Sequence, residues 1–133
     1  MSMNHNLAQK VLSAAVEKAG STGIPVSIAV VDSGGYLMAF ARLDSVCGVI
    51  DFAVKKAKTA ILFGADSDVM GDIISGAGMH GYGMLNTNDG LLTLAGGIII
   101  KDADSKVIGA IGVSGGTPEQ DKGIAEAGAA IIA

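Results

Sequence analysis

IIIKDADSKVIGAIGVSGG, residues 98–116, decides the fold. An apolar run of isoleucines meets a polar turn, Lys101–Lys106. A second apolar run, Val107–Val113, follows and breaks at Gly115-Gly116. Two apolar segments separated by a short polar connection read as a β-hairpin near the middle of a sheet. Downstream, Thr117-Pro118-Glu119-Gln120 opens a helix: Thr at the cap, Pro at the first helical position and Gln three residues past Thr make a capping box. Ile124, Ala127, Gly128 and Ile131 then form the apolar stripe of that helix.

The upstream half repeats the pattern. Leu7, Val11, Ala14, Ala15 and Val16 recur at helical spacing, with Asn4 or Asn6 placed to cap the helix and Gly20 to stop it. Val26–Val31 and Tyr36–Ala41 flank Asp32-Ser33-Gly34-Gly35 and form a first hairpin. Val49, Phe52, Ala53, Lys56, Ala57, Ala60 and Phe63 share one face of a second helix that ends at Gly64. Asp66 or Ser67 can cap a third helix over 68–74. Residues 75–90, SGAGMHGYGMLNTNDG, read as a long glycine-rich loop with room for one helical turn, and loops of this length usually cover a site or an interface. Leu91–Leu94 reads as a further short strand. The expected architecture is therefore one α/β (α+β) domain over residues 1–133. It has a mainly antiparallel sheet of about five strands, helices on one face and a partner subunit available for the other.

Composition narrows the classes of function. Half the residues are apolar but only 4% are aromatic, with no Trp, so the core is built from Ala, Val, Ile, Leu and Met. Twenty glycines, roughly twice the usual share, imply many tight turns and close backbone approaches. A net charge of −4 with no basic stripe argues against nucleic acid. No apolar run reaches the roughly 20 residues of a membrane span, and the amino terminus lacks the pattern of a signal peptide. With the lone Cys47, these features make the cytoplasm the expected compartment. The positive mean hydropathy points to surface covered by other subunits or to buried alanine.

Three blocks in order, VSIAVVDSGGYLMAFARLD at 26–44, KKAKTA at 55–60 and VIGAIGVSGG at 107–116 with Asp121 downstream, resemble the GlcG/HbpS-like family. That family also includes the carboxy-terminal domain of PduO-type proteins. The resemblance spans residues 7–132. It implies a profilin-like layout with a five-stranded antiparallel sheet, assembly into homo-oligomers from dimers to octamers, and haem as a ligand in some members. It also places relatives among catabolic genes without a settled activity. Three departures stand out. Tyr36 sits where many relatives carry His after the Asp-x-Gly-Gly turn, Gly96-Gly97-Ile98-Ile99 lacks the usual Pro, and Asp104-Ser105 replaces Asp-Gly.

Candidate chemistry is spread along the chain. His80, in the glycine-rich loop near Tyr82, Asn86, Asn88 and Asp89, is a candidate axial haem ligand or general base; a loop histidine satisfied by carbonyls is the structural alternative. Tyr36 is the second proton-transfer candidate. Arg42 can grip a carboxylate through its planar fork, or it can pair with Asp32 or Asp44 to fix the hairpin. Lys58 and Thr59, beside Lys55, can hold an anion such as a haem propionate or a small carboxylate; a solvated basic face reads equally well. Ser114 and Gly115, with Gly112, Gly116 and Thr117, place backbone amides at a helix start, an anion nest or a close strand–helix contact. His5 reads as part of a terminus, although an early histidine has been implicated in haem binding by PduO-type relatives. Cys47 reads as a quiet thiol. With two histidines and no CxxC or HExxH spacing, no dedicated metal site is expected. The functions in play are binding of a small molecule (haem or a small carboxylate), an accessory or assembly role in a catabolic operon, and enzymatic action on a small hydroxy or oxo acid.

Overall fold

The computed structural model describes residues 1–132. Its elements run α1 (His5–Thr22), β1 (Ser27–Asp32), β2 (Leu37–Arg42), α2 (Gly48–Phe63), α3 (Ser67–Gly76), α4 (Met79–Tyr82), β3 (Gly97–Lys101), β4 (Val107–Ser114) and α5 (Pro118–Ala129). The sheet order is β2-β1-β4-β3, with every neighbouring pair antiparallel. Two hairpins are thus joined through the middle ladder, β1 against β4, and of the 98–116 hairpin only β4 is central, while β3 lies at an edge of the sheet. Both hairpins turn on an aspartate. Asp32 Oδ1 accepts from the amides of Gly34 and Tyr36, and Asp102 Oδ1 from those of Asp104 and Lys106, at 2.9–3.0 Å.

The sheet has four strands, not five. Leu91–Leu94 is not a strand because its backbone is held by a helix: the amide of Leu92 donates to Thr59 Oγ1 at 3.0 Å. The first helix also runs past Gly20 to Thr22. Gly23, at φ 70°, supplies the left-handed residue that lets its amide reach back to the carbonyls of Ala19 and Gly20. Asn4 caps the other end, accepting from Leu7. Thr117 and Gln120 form the complete reciprocal capping box at α5.

Helices cover both faces of the sheet, so no partner is needed to close the core. On one face α1 and α5 bring Ala8, Val11, Ala15, Ile124 and Ala125 onto Ile28, Val30, Ile100, Ile111 and Val113. Each fully buried Val or Ile stabilises the fold by about 1.5–3 kcal/mol relative to exposure. On the other face α2 sets Ala57 and Ala60 against Val31 and Ala110. Here the abundance of small residues has a geometric reason. A Cβ on Gly112 would stand 2.0 Å from the carbonyl oxygen of Ala53, and one on Gly97 would stand 2.3 Å from that of Lys56. The backbone of α2 therefore rests directly on the sheet. Phe52 and Phe63, near the two ends of the expected apolar face of α2, stay about two-fifths exposed.

Candidate functional site

The second helix organises the polar chemistry. At about 100° per residue, Lys56 falls on the stripe of Ala53, Ala57 and Ala60, while Lys55, Lys58 and Leu62 fall on its flanks. Lys55 Nζ donates to the carbonyls of Asp89 and Gly90, the latter at 3.2 Å, and buried Thr59 accepts from Leu92. These two residues strap the loop before β3 onto α2. At the loop tip Asn88, Asp89 and Gly90 have φ of 54°, 59° and 97°, a run of left-handed backbone.

Lys58 makes no hydrogen bond or ion pair among the described residues and stays exposed. It borders a groove of about 370 Å³ lined by Gly34, Gly35, Tyr36, Lys58, Leu62, Asn88 and Asp89. Tyr36 is 74% exposed, with its ring lying against Gly34. The turn of the first hairpin, the carboxy-terminal half of α2 and the loop tip thus bring a phenol and a free ammonium to one concavity.

The other residues singled out from the sequence lie elsewhere in the chain. Arg42 ends β2, about 20 Å along the strand from Tyr36. Its Nε and Nη2 both donate to the carbonyl of Ser45, at 3.0 and 2.8 Å, and it pairs with neither Asp32 nor Asp44. His80 is exposed on α4 with no hydrogen bond from its imidazole among the described residues. His5 and Cys47 are exposed at the starts of α1 and α2. No group of three or more His, Cys, Asp or Glu side chains among the described residues can hold a metal.

Ser114 and Gly115 border a second, smaller cleft of about 190 Å³, together with Val49, Phe52, Lys56, Leu94, Gly116, Pro118 and Asp121. Two of the amides expected to bind a guest there, those of Gly116 and Thr117, are already engaged. Gly116 donates to Asp121 Oδ1 at 2.8 Å, Thr117 to Gln120 Oε1 at 2.9 Å, and Gln120 to Thr117 Oγ1. The chain's own Asp121 carboxylate takes the Gly116 amide.

Sequence reasoning missed the pair that holds this region. Lys56, 1% exposed, donates to the carbonyl of Val113 at 2.9 Å and to Asp121 Oδ2 at 3.0 Å, and Asp121 is itself 2% exposed. Burial pushes the Lys56 ammonium down from its ordinary pKa, and the Asp121 carboxylate pulls it back up. A signal was available. Lys56 sits on the apolar stripe of its helix, and Asp121 precedes Ile124 and Gly128 by three and seven residues on the stripe of its own. Two opposite charges at core positions imply a buried pair.

A larger hollow, about 620 Å³, lies between Ala65, Val69, Ile98 and Ala129, with Asp66, Lys101 and Glu126 at its border. None of the candidate site residues named from the sequence enters it. Among the described residues no helix is long and apolar enough to cross a membrane.

Comparison with known proteins gives a consistent result. The family model described as haem degrading protein HbpS-like matches residues 3–130. An uncharacterised 15.0 kDa protein from the dhaT-dhaS intergenic region of Citrobacter freundii is 36% identical over 90% of this chain and 84% of its own. Protein GlcG of Escherichia coli is 33% identical over 84% of this chain and 81% of its own. Among solved structures, the haem complex of PduOC superposes with a TM-score of 0.88 at 29% identity, covering 99% of this chain and 96% of that one. HbpS gives 0.88 at 31% identity, covering 100% and 92%.

Proposed function

We propose, from the premise that this chain belongs to the HbpS-like family of haem-degrading proteins, that it binds haem in the Tyr36–Lys58 groove at a boundary between copies of itself. The observation that carries the reading is the meeting of an unpaired ammonium and an exposed phenol in one concavity. Ferric haem needs an oxygen, nitrogen or sulfur donor for its iron and cations for its propionates. The hydroxyl of Tyr36 is such a donor, and Lys58 offers a charge-assisted hydrogen bond to a carboxylate. The larger hollow fits less well. It has Lys101, but its only side-chain donors are Asp66 and Glu126, and Asp66 Oδ1 already accepts from Ile99.

At about 370 Å³ the groove takes a small carboxylate whole but a porphyrin only by one edge, which is why a second copy enters the proposal. Bound haem supplies a redox-active iron. The chain's own contribution is to orient one edge of the ring against Leu62 and Tyr36 and to neutralise a propionate through Lys58.

Titration with hemin tests the reading. A displaced Soret band saturating at one equivalent per subunit is expected. Lys58→Ala should weaken binding about two- to fivefold, the worth of an exposed ion pair. Tyr36→Phe should change the ferric spectrum, whereas His80→Ala should leave it as it is. A hemin spectrum unchanged throughout the titration removes the proposal. If short carboxylates raise the melting temperature instead, the groove belongs to them.

A further inference from the structure

A buried ion pair gives little stability over an apolar pair of the same volume, so one that borders a cleft calls for another account. Lys56 and Asp121 form such a pair, and both border the 190 Å³ cleft. We infer that Lys56 is a carbonyl-reactive amine that condenses with short aliphatic aldehydes, with Asp121 carrying the proton.

Five observations converge on this. The amine and carboxylate lie 3.0 Å apart, close enough for direct proton transfer. The walls of the cleft are Val49, Phe52, Leu94 and Pro118, apolar groups that suit a short alkyl chain and repel a charged one. Its volume admits only a few non-hydrogen atoms. Glycine also stands where a side chain would crowd the pair. A Cβ on Gly96 would come within 3.0 Å of Lys56 Nζ, and one on Gly116 within 3.1 Å of Asp121 Oδ1. Burial favours the neutral amine, the form that attacks a carbonyl.

The reaction balances without an oxidant or reductant. Lys56 passes one proton to Asp121 Oδ2, and its freed lone pair attacks the aldehyde carbon. In the carbinolamine Asp121 hands its proton to the oxygen and takes the second proton from the nitrogen. It then delivers that proton to the hydroxyl, which leaves as water, and one protonated imine forms per aldehyde consumed with Asp121 again a carboxylate. Phe52 and Leu94, each more than two-fifths exposed, stand at the mouth and set the size that enters.

Reductive trapping tests the inference on the folded wild-type chain. Propionaldehyde and cyanoborohydride at neutral pH, stopped at low conversion and followed by peptide mapping, should place a propyl group on Lys56. The rate should exceed that at exposed Lys10, Lys18 and Lys106 by at least about tenfold. It should also saturate with aldehyde concentration. In urea all lysines should react alike. Phe52→Ala, at an exposed side chain, should admit a branched aldehyde that the wild type excludes. Labelling of the exposed lysines with Lys56 untouched overturns the inference, as does a Lys56 rate that never saturates.

Discussion

Lys56 carries a large energetic stake for a single side chain, because it is a charge buried in an ion pair. Removing one member of a buried pair leaves the other charged, dry and unpaired. Lys56→Met should therefore cost about 3–5 kcal/mol in urea unfolding. Lys56→Met combined with Asp121→Asn should recover most of that loss, since the amide oxygen can still accept from Gly116 while neither charge remains. The pair also has a pH signature. Because the folded pKa of Lys56 lies below its ordinary 10.5, the unfolded chain holds more protons between those two values, and stability rises with pH across that window. Unfolding midpoints of the wild type should climb as pH approaches 10.5, and the double variant should lack that slope. Lys122 has the opposite sign. Asp68 at 2.8 Å raises its pKa, so its contribution is present below 10.5 and is lost as pH rises through the folded value. That Lys56 lies inward was readable from the Ala53–Ala60 stripe. That it meets Asp121, 65 positions on, was not, because the pairing depends on how β4 delivers α5.

Local chemistry made the helices and hairpins legible and explains the one strand that fails. Asp32 holding the amides of its own turn, the Thr117–Gln120 box and Gly64 closing α2 are decided within a few residues, so pattern alone suffices. Leu91–Leu94 has the composition of a strand, but Thr59 and Lys55 engage the loop around it first, and no local pattern reveals a competitor 30 positions away. Two substitutions probe these contacts. Thr117→Ala should cost about 1 kcal/mol, the usual loss of a side-chain cap, in chemical unfolding. Gly112→Ala is a severer test, because the new methyl would stand 2.0 Å from the carbonyl oxygen of Ala53 and 2.7 Å from the amide of Ala57. Since backbone, not a flexible side chain, is in the way, α2 must lift from the sheet. A melting temperature lowered by 10 °C or more for this one methyl (roughly 3 kcal/mol in a domain of this size) is the expected outcome.

The two edges of the sheet are treated differently, and that bears on assembly. At β3 the outward amides of Gly97 and Ile99 are taken by Ser67 Oγ and Asp66 Oδ1, so this edge is closed by the start of α3. At β2 no side chain or strand among the described residues closes the outer edge, and Tyr36 and Leu37 beside it are more than half exposed. An open edge with exposed apolar neighbours is a template for a second chain. Leu62 is 47% exposed and borders the same groove as Tyr36 and Lys58, so an assembly built over this region would also complete the proposed haem site. Sedimentation of the wild type should therefore give a species larger than one chain, and Leu62→Glu should shift it toward the monomer. The informative comparison is hemin binding by that variant. If the groove is completed by a neighbour, the Soret displacement should weaken in step with the loss of assembly and return at high protein concentration. Full binding by a monomeric Leu62→Glu variant would mean that one chain holds the haem alone, and the boundary between copies would have no part in it.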